Sequence, residues 1–466
     1  MSMNASESSR AASGRILTDW RPEDPTFWQQ SGRAIANRNL WISIPCLLLA
    51  FAVWMVWSVV VARLPAIGFE FTTGELFWLA ALPGLSGATL RIFYSFVIPI
   101  FGGRRWTAIS TASLLLPALG IGFAVQNPDT PYSVFAILAL LCGFGGGNFA
   151  SSMSNINYFF PKAQKGNALA LNAGLGNLGV SVVQFVVPVV ITMGLFGAMG
   201  GQAQTIEDGS RLWLQNAGFV WVPFLLICTV AAWFGMNDLA DARANLGDQL
   251  TILKRTHNWV MSILYVGTFG SFIGYAAGFP LLIKTQFPEV NALSYAFLGP
   301  LVGALSRSGT GWISDKFGGG RVTLWVFIGM IVAVVGVLQF LPLGGNAGNF
   351  WGFFVCFMAL FFLTGVGNAS TFQMIPIIMR KEIPRLMPQL DAAAALKTAE
   401  RESGAIIAFT SAMAAYGAFY IPKSYGTSID LTGGPAAALW SFAGFYALCV
   451  VLTWIFYTRR GAATPC

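Results

Sequence analysis

The sequence predicts an all-α membrane protein: about twelve transmembrane helices in two pseudo-symmetric six-helix halves. Three observations carry that prediction. The chain of 466 residues is 55% hydrophobic and only 10% charged, where soluble domains carry roughly 25% charged residues. Apolar runs long enough to cross a hydrocarbon core of about 30 Å recur along it. And one phrase is written twice. Gly87-Ala88-x-x-Arg91 is followed ten residues later by Gly102-Gly103-x-Arg105-x-Thr107, and Gly303-Ala304-x-x-Arg307 ten residues later by Gly318-Gly319-x-Arg321-x-Thr323. The offset is 216 throughout, and Phe101 and Phe317 precede the paired glycines. A repeat of this length marks two halves of common design.

In chain order, residues 1–14 are Ser/Ala-rich and expected to be disordered. No short apolar run with a cleavage site follows, so no signal peptide is read. Residues 15–39 mix charge with Trp20, Phe27 and Trp28, the composition of an interfacial segment. Spans are expected near 40–61, 76–100, 106–126, 132–160, 167–195, 217–237, 258–283, 292–314, 321–343, 349–380, 401–422 and 437–458. Prolines 45, 83, 99, 188, 223, 280, 300 and 376 are candidate kinks within them. The organisation is then an N-terminal segment 1–39, a first half 40–237, a polar linker 238–257, a second half 258–458 and a tail 459–466. The stretch 381–400 is polar and reads as a short helix before span eleven; the loop 196–216 reads as a connection.

Lysine and arginine set the topology. With the N-terminus cytoplasmic, 21 of the 27 fall on cytoplasmic segments, and only Arg63, Arg211, Lys284 and Lys423 fall on external loops. That bias puts both termini on the cytoplasmic side of a multi-pass protein.

The two remaining basic residues, Arg91 and Arg307, lie inside spans. A charge at the bilayer centre costs at least ~2.5–3.5 kcal/mol on insertion scales. Each sits about fifteen residues into its span, beyond snorkelling reach of the preceding loop. A purely structural arginine would pair with a buried carboxylate, yet all 19 acids fall in loops or at span ends. The missing counter-charge is therefore expected to be an anionic substrate. The repeat would bring both guanidiniums to the axis between the halves, a suitable clamp.

Glycine runs mark close helix packing. Span four carries Gly143-x-Gly145-Gly146-Gly147-Asn148-Phe149, and span ten echoes it as Gly365-x-Gly367-Asn368. In span five, Gly174-x-Gly176-x-x-Gly179 matches a dinucleotide fingerprint, but it lies inside a long apolar run with no preceding strand, so packing is the reading kept. Asn172 and Asn177 in the same span are amides that need partners in a membrane, and at least one is expected to face the substrate path. Tyr265, Phe269 and Tyr275 lie on span seven, where aromatics are more often core than function.

Other chemistries are excluded. Six cysteines show no metal or disulfide spacing, and a single histidine, His257, leaves no metal site. The net charge of +8 forms no basic stripe, so nucleic acid is not a partner. No catalytic constellation is present, so an enzyme is not expected; neither a cofactor nor a protein partner is indicated, and the surroundings are membrane lipid.

Two parallel six-helix halves is the major facilitator arrangement. Gly311-x-x-x-Asp315-x-x-Gly318-x-x-Arg321 resembles that superfamily's loop signature between the second and third helices of a half. The first copy keeps Gly102 and Arg105 but has Pro99 in place of the acid. Within the superfamily, Gly166-Asn-Ala-Leu-Ala-Leu-Asn172-Ala-Gly174-Leu-Gly176-Asn177-Leu-Gly179 resembles the first nitrate signature of the bacterial nitrate/nitrite porters of the NarK/NarU type. Residues 405–419, which include Ser411 and Gly417, occupy the place of the second. The resemblance extends to Asp19-Trp20-Arg21-Pro22-Glu23 and Phe101-Gly-Gly-Arg-Arg-Trp106. It implies that Arg91 and Arg307 bind nitrate, that Phe149 and Phe269 sandwich the planar anion, and that Tyr265 and Asn177 are its polar neighbours. Ala408, Ala414 and Ala418 stand where the family tends to have glycine, which puts gating rate in question.

The expected function is exchange of nitrate for nitrite across a bacterial inner membrane by alternating access. Rivals are a proton-coupled nitrate symporter or an exchanger of another small anion such as formate, an anion channel, and a nitrate sensor, the last unsupported by any appended domain.

Overall fold

The computed structural model describes residues 15–206, 209–240, 251–342, 344 and 347–466. The disorder expected of residues 1–14, and residues 241–250 of the linker, lie outside the described residues. Among the described residues there are twelve helical passes: α1 (Pro25–Val60), α2 (Thr73–Tyr94), α3 (Gly103–Ala124), α4 (Tyr132–Phe159), α5 (Lys162–Val190), α6 (Asn216–Gly235), α7 (Thr256–Gln286), α8 (Leu298–Gly309, continued by Gly311–Phe317), α9 (Gly319–Phe340), α10 (Phe350–Leu386), α11 (Ala392–Thr432) and α12 (Ala436–Thr458). Eleven are long and apolar enough to cross a membrane as single runs. The twelfth, α8, is interrupted at Thr310.

That interruption belongs to the repeat. α2 ends at Tyr94 and resumes as Val97–Phe101, and Tyr94 stands 216 residues before Thr310. Each short continuation then meets a glycine with positive φ, Gly102 at 84° and Gly318 at 87°. Side chains rarely adopt that backbone, so glycine is required at both positions. Each glycine starts the next helix.

Helix starts are written in the sequence. Thr72 and Glu75 form a capping box on α2, the Thr72 hydroxyl accepting from Glu75 N–H (3.2 Å) and the Glu75 carboxylate from Thr72 N–H (2.8 Å). Asn349 caps α10 and Asp391 caps α11. The Asp391 cap corrects the short helix expected over 381–400. Residues up to Leu386 continue α10, and α11 begins at Ala392 under that cap, so the stretch is divided between two long helices.

Residues 15–39 also differ from expectation. α1 already starts at Pro25, under an Asp24 cap that accepts from Thr26 and Phe27. Ahead of it, Ile16–Leu17 pairs in parallel with Asp238–Leu239. Trp20 donates to the Tyr158 carbonyl at 3.1 Å, and Leu17 and Trp28 are buried with Phe159 and Phe160. The apolar side chains Leu17 and Trp28 of this segment find a protein surface at the ends of α4 and α5. The 196–216 loop carries a small hairpin, Gln204–Thr205 against Arg211–Leu212.

Within each half the repeated glycines seat equivalent helices. A Cβ on Gly146 of α4 would lie 2.7 Å from Gly87 Cα of α2, and one on Gly365 of α10 would lie 2.3 Å from the Gly303 carbonyl of α8. Between halves, α2 runs along α11 as a seam. From the middle of the membrane outward it joins Arg91 to Ser411, Thr89 to the Tyr416 hydroxyl (2.9 Å), Gly84 to the Ala418 backbone and the Phe77 ring to the Tyr425 ring (6.1 Å). Three further bonds tie the same face. Ser181 donates to the Phe297 carbonyl (3.0 Å), Gln184 to that of Ala276 (2.7 Å) and Lys284 to that of Ala62 (2.6 Å). At the other face, the terminal face, where the described chain begins at Arg15 and ends at Cys466, a Cβ on Gly166, Gly309 or Gly404 would meet nothing within 4 Å. There the exposed Lys162–Glu400 pair (3.4 Å) bridges the halves, a contact worth at most about 1 kcal/mol. The halves are therefore shut at the face away from the termini and looser at the terminal face.

Candidate functional site

Arg91 and Arg307 come from corresponding turns of α2 and α8, one from each half. Arg91 is fully buried and Arg307 half-buried. Arg91 donates from Nε to the Gly146 carbonyl (3.0 Å) and from Nη1 to the carbonyl (3.2 Å) and hydroxyl (3.1 Å) of Ser411. Its guanidinium carbon lies 4.8 Å from the Phe149 ring centroid, 5.3 Å from that of Trp54 and 5.6 Å from that of Phe269. Arg307 donates from Nη2 to the Tyr265 hydroxyl (3.4 Å) and lies over Phe269 (5.9 Å) and Phe372 (5.7 Å). Neither has a carboxylate partner among the described residues. Arg91 Nη2 and Arg307 Nη1 are buried and bond to nothing there.

Two of the acids placed in loops or at span ends are nonetheless buried in protein. At the terminal face, Asp238 (5% exposed) pairs with Arg104 at 3.2 Å, and Glu402 (2% exposed) takes Arg255 at 2.7 and 2.8 Å. The hydrogen bond to Glu402 raises the Arg255 guanidinium above its ordinary pKa. Structural arginines in this protein thus do find carboxylates, whereas Arg91 and Arg307 do not. Asp238 also accepts the backbone N–H groups of Arg104 (2.8 Å) and Arg105 (3.4 Å). The loop signature of the first half, which lacks its acid at Pro99, is served from the end of α6. In the second half no ion pair joins Asp315 to Arg321 among the described residues.

Rings complete the site. The Phe149 and Phe269 centroids are 6.5 Å apart with planes at 27°, and Tyr265 stacks on Phe269 at 5.5 Å and 15°. Tyr265 immediately precedes a π-helical turn of α7, Val266–Gly270, and Phe269 lies within it. Such turns re-aim side chains and recur at functional sites.

The span-five amides divide. Asn172 donates to the Ser152 hydroxyl (2.8 Å), which meets that of Ser43 (2.8 Å), so it ties α5 to α4 and α1 inside the first half. No hydrogen bond joins it to either arginine. Asn177 is buried as well, and the Oδ1 atoms of both amides have no hydrogen-bond partner. Of the glycines, Gly176 seats on Leu47 and Gly179 on the Leu48 carbonyl, both on α1, while Gly174 faces Ser308 of α8 across the halves. Gly417 lies against Gly270, where a Cβ would be 2.1 Å from the carbonyl oxygen. Ala414 and Ala418 are buried in the crossings of α11 with α7 and α2, and Ala408 is half-buried.

Trp54, Phe372, Ser411 and the Gly146 carbonyl escaped sequence reasoning. Tryptophan and phenylalanine are common in spans, and a carbonyl has no sequence signal. Only Ser411, inside residues 405–419, was within reach.

Two paired six-helix halves that meet along a seam, with one arginine from each half at it, make the architecture of a membrane transporter. The chain belongs to the Major Facilitator Superfamily, whose family model matches residues 46–390. It is 54% identical over 449 residues to the nitrate/nitrite transporter NarU of Salmonella typhimurium, 96% of each chain being covered. It is 43% identical over 465 residues to the probable nitrate/nitrite antiporter NarK2 of Thermus thermophilus, covering 98% of this chain and 100% of that one. Among solved structures, the D-xylose–proton symporter superposes with a TM-score of 0.65 at 14% identity, over 89% of this chain and 96% of that one. The nucleoside transporter NupG does so with a TM-score of 0.59 at 11% identity, over 89% and 98%. These two likenesses speak to the fold alone.

Proposed function

We propose that this chain exchanges nitrate for nitrite across a bacterial inner membrane by alternating access, holding the anion between Arg91 and Arg307. One observation carries the reading: each half contributes one buried guanidinium nitrogen, Arg91 Nη2 and Arg307 Nη1, with neither carboxylate nor hydrogen-bond partner among the described residues. Two forked cations suit a flat monovalent oxyanion met in its own plane. The Phe149 and Phe269 ring centroids are 6.5 Å apart with planes at 27°, so a layer one atom thick, which takes about 3.5 Å on each side, needs only a small parting of the rings. A tetrahedral anion is thicker and would have to force the rings open. Asn177 and Tyr265 supply polar contacts at the rim. The names of the NarU and NarK2 relatives support the cargo.

The halves rock about the seam, with Gly174, Gly176, Gly179 and Gly417 allowing close helix approach and the Asp315–Arg321 loop acting at the terminal face. The lysine and arginine bias supports that face as cytoplasmic. Nothing is made or broken covalently, so the protein acts as a carrier and not as an enzyme.

The test of cargo is competition. Purified protein should bind labelled nitrate, with nitrite displacing it and sulfate and phosphate failing to. Displacement by sulfate at concentrations similar to nitrite would contradict the assignment.

A further inference from the structure

We propose that Ser411, carried by α11 of the second half, positions Arg91 of the first and thereby sets anion affinity in one conformation only. The inference rests on the transport reading above. Ser411 offers Arg91 Nη1 two acceptors, its hydroxyl at 3.1 Å and its carbonyl at 3.2 Å, while the Gly146 carbonyl holds Nε at 3.0 Å. A guanidinium is planar, so fixing Nε and Nη1 also fixes the direction of Nη2. Nη2 is the nitrogen left without a protein partner. The aim of the anion-binding group in one half is therefore set by a residue of the other.

The place of this contact in the seam makes it conditional. Along α2 and α11 the joined pairs run from Phe77–Tyr425 through Gly84–Ala418 and Thr89–Tyr416 to Arg91–Ser411, the last before the looser terminal face. α11 also tightens locally at Tyr416, whose N–H bonds to the Met413 carbonyl three residues back. The opposite face cannot open while Gly84 rests on the Ala418 backbone, where an added Cβ would be 2.4 Å from the carbonyl carbon. Opening that face parts the seam and takes Ser411 from Arg91. Ser411 thus pre-aims Arg91 when the site communicates with the terminal face and releases it when the site faces the other way.

The experiment measures nitrate KM from each face, in right-side-out and inverted membrane vesicles preloaded with nitrite, with orientation checked by protease access to a tag on the C-terminus. Ser411→Ala removes the hydroxyl and leaves the carbonyl. It should raise KM at the terminal face about tenfold, with KM at the opposite face and kcat changing less than about twofold. Ser411→Thr, which restores a hydroxyl, should recover most of the loss. An unchanged KM in Ser411→Ala, or an equal rise at both faces that threonine does not repair, would overturn the proposal, the second result marking ordinary helix packing. Wild-type protein in the same vesicles reads the underlying function separately: failure of wild type to exchange nitrate sinks the transport reading, whereas normal wild-type exchange with an unmoved variant sinks only the role of Ser411.

Discussion

The Arg91 guanidinium of the first half lies over the Phe269 ring of the second, 5.6 Å from its centroid. Arg307 approaches the same ring at 5.9 Å. One ring thus faces both cations, and its quadrupole offsets part of their desolvation, by about 0.5–2 kcal/mol for each contact. The remainder is left to the anion. Lysine cannot reproduce this arrangement, because an ammonium is a point charge without a planar fork. Arg91→Lys and Arg307→Lys should each lower nitrate exchange in proteoliposomes at least ~10-fold. Near wild-type rates in Arg307→Lys would remove the clamp from the account.

Shape selectivity is assigned to the ring pair. Phe149→Ala or Phe269→Ala removes one ring of the pair and one cation–π partner of Arg91. Nitrate affinity should fall roughly tenfold, and sulfate should begin to compete. Binding titrations with both anions check this; unaltered affinity and selectivity in both variants would place the rings outside the site.

Asp238 supports the first half in a different way. Its carboxylate is buried and meets Arg104 and the start of α3. Replacing it with alanine strands a buried arginine, which costs about 3–5 kcal/mol in comparable pairs. Asp238→Ala should melt several degrees lower than wild type in detergent, while nitrate affinity of the remaining folded protein stays near normal. An unchanged melting temperature would show that the pair contributes little.

At the α7–α11 crossing the demand is steric. A Cβ on Gly417 would sit 2.1 Å from the Gly270 carbonyl oxygen, a backbone atom that cannot step aside as a side-chain end can. Gly417→Val should therefore yield little monodisperse protein by size-exclusion chromatography, whereas Ala414→Gly, which only removes a methyl, should yield normal amounts. A normal yield of Gly417→Val would mean that the helices can separate at this crossing without cost.

Much of this was legible in the chain. The halves, their offset and the paired arginines follow from the repeat, since the same phrase twice must build the same turn twice. The broken α8 was readable only as one run, because Thr310 and Gly311 do not signal a stop that apolar composition cannot hide. Asn172 and Asn177 looked alike in sequence, and the oxygens of both amides are buried without a partner, but helical rotation turns the Asn172 amide nitrogen onto Ser152 of α4. Asp238 lies more than 130 residues from the arginines it serves, and such a partnership depends on how α6 returns to α3. Trp20 and Trp28 read as interface anchors because amphipathic aromatics suit lipid headgroups as well as a protein groove.

The central claim is exchange. Among the described residues no carboxylate or histidine bonds or ion-pairs with Arg91 or Arg307, whose hydrogen bonds go to Gly146, Ser411 and Tyr265. An empty site leaves two cations facing the same ring, which disfavours closing the halves, and a bound anion offsets one of them. Only the loaded carrier should therefore cross. The direct measurement uses purified protein in liposomes with labelled nitrate outside. Rapid uptake is expected only when nitrite or nitrate is trapped inside, with no stimulation by an inward proton gradient. Strong uptake into anion-free liposomes driven by that gradient would contradict exchange and establish proton-coupled symport in its place.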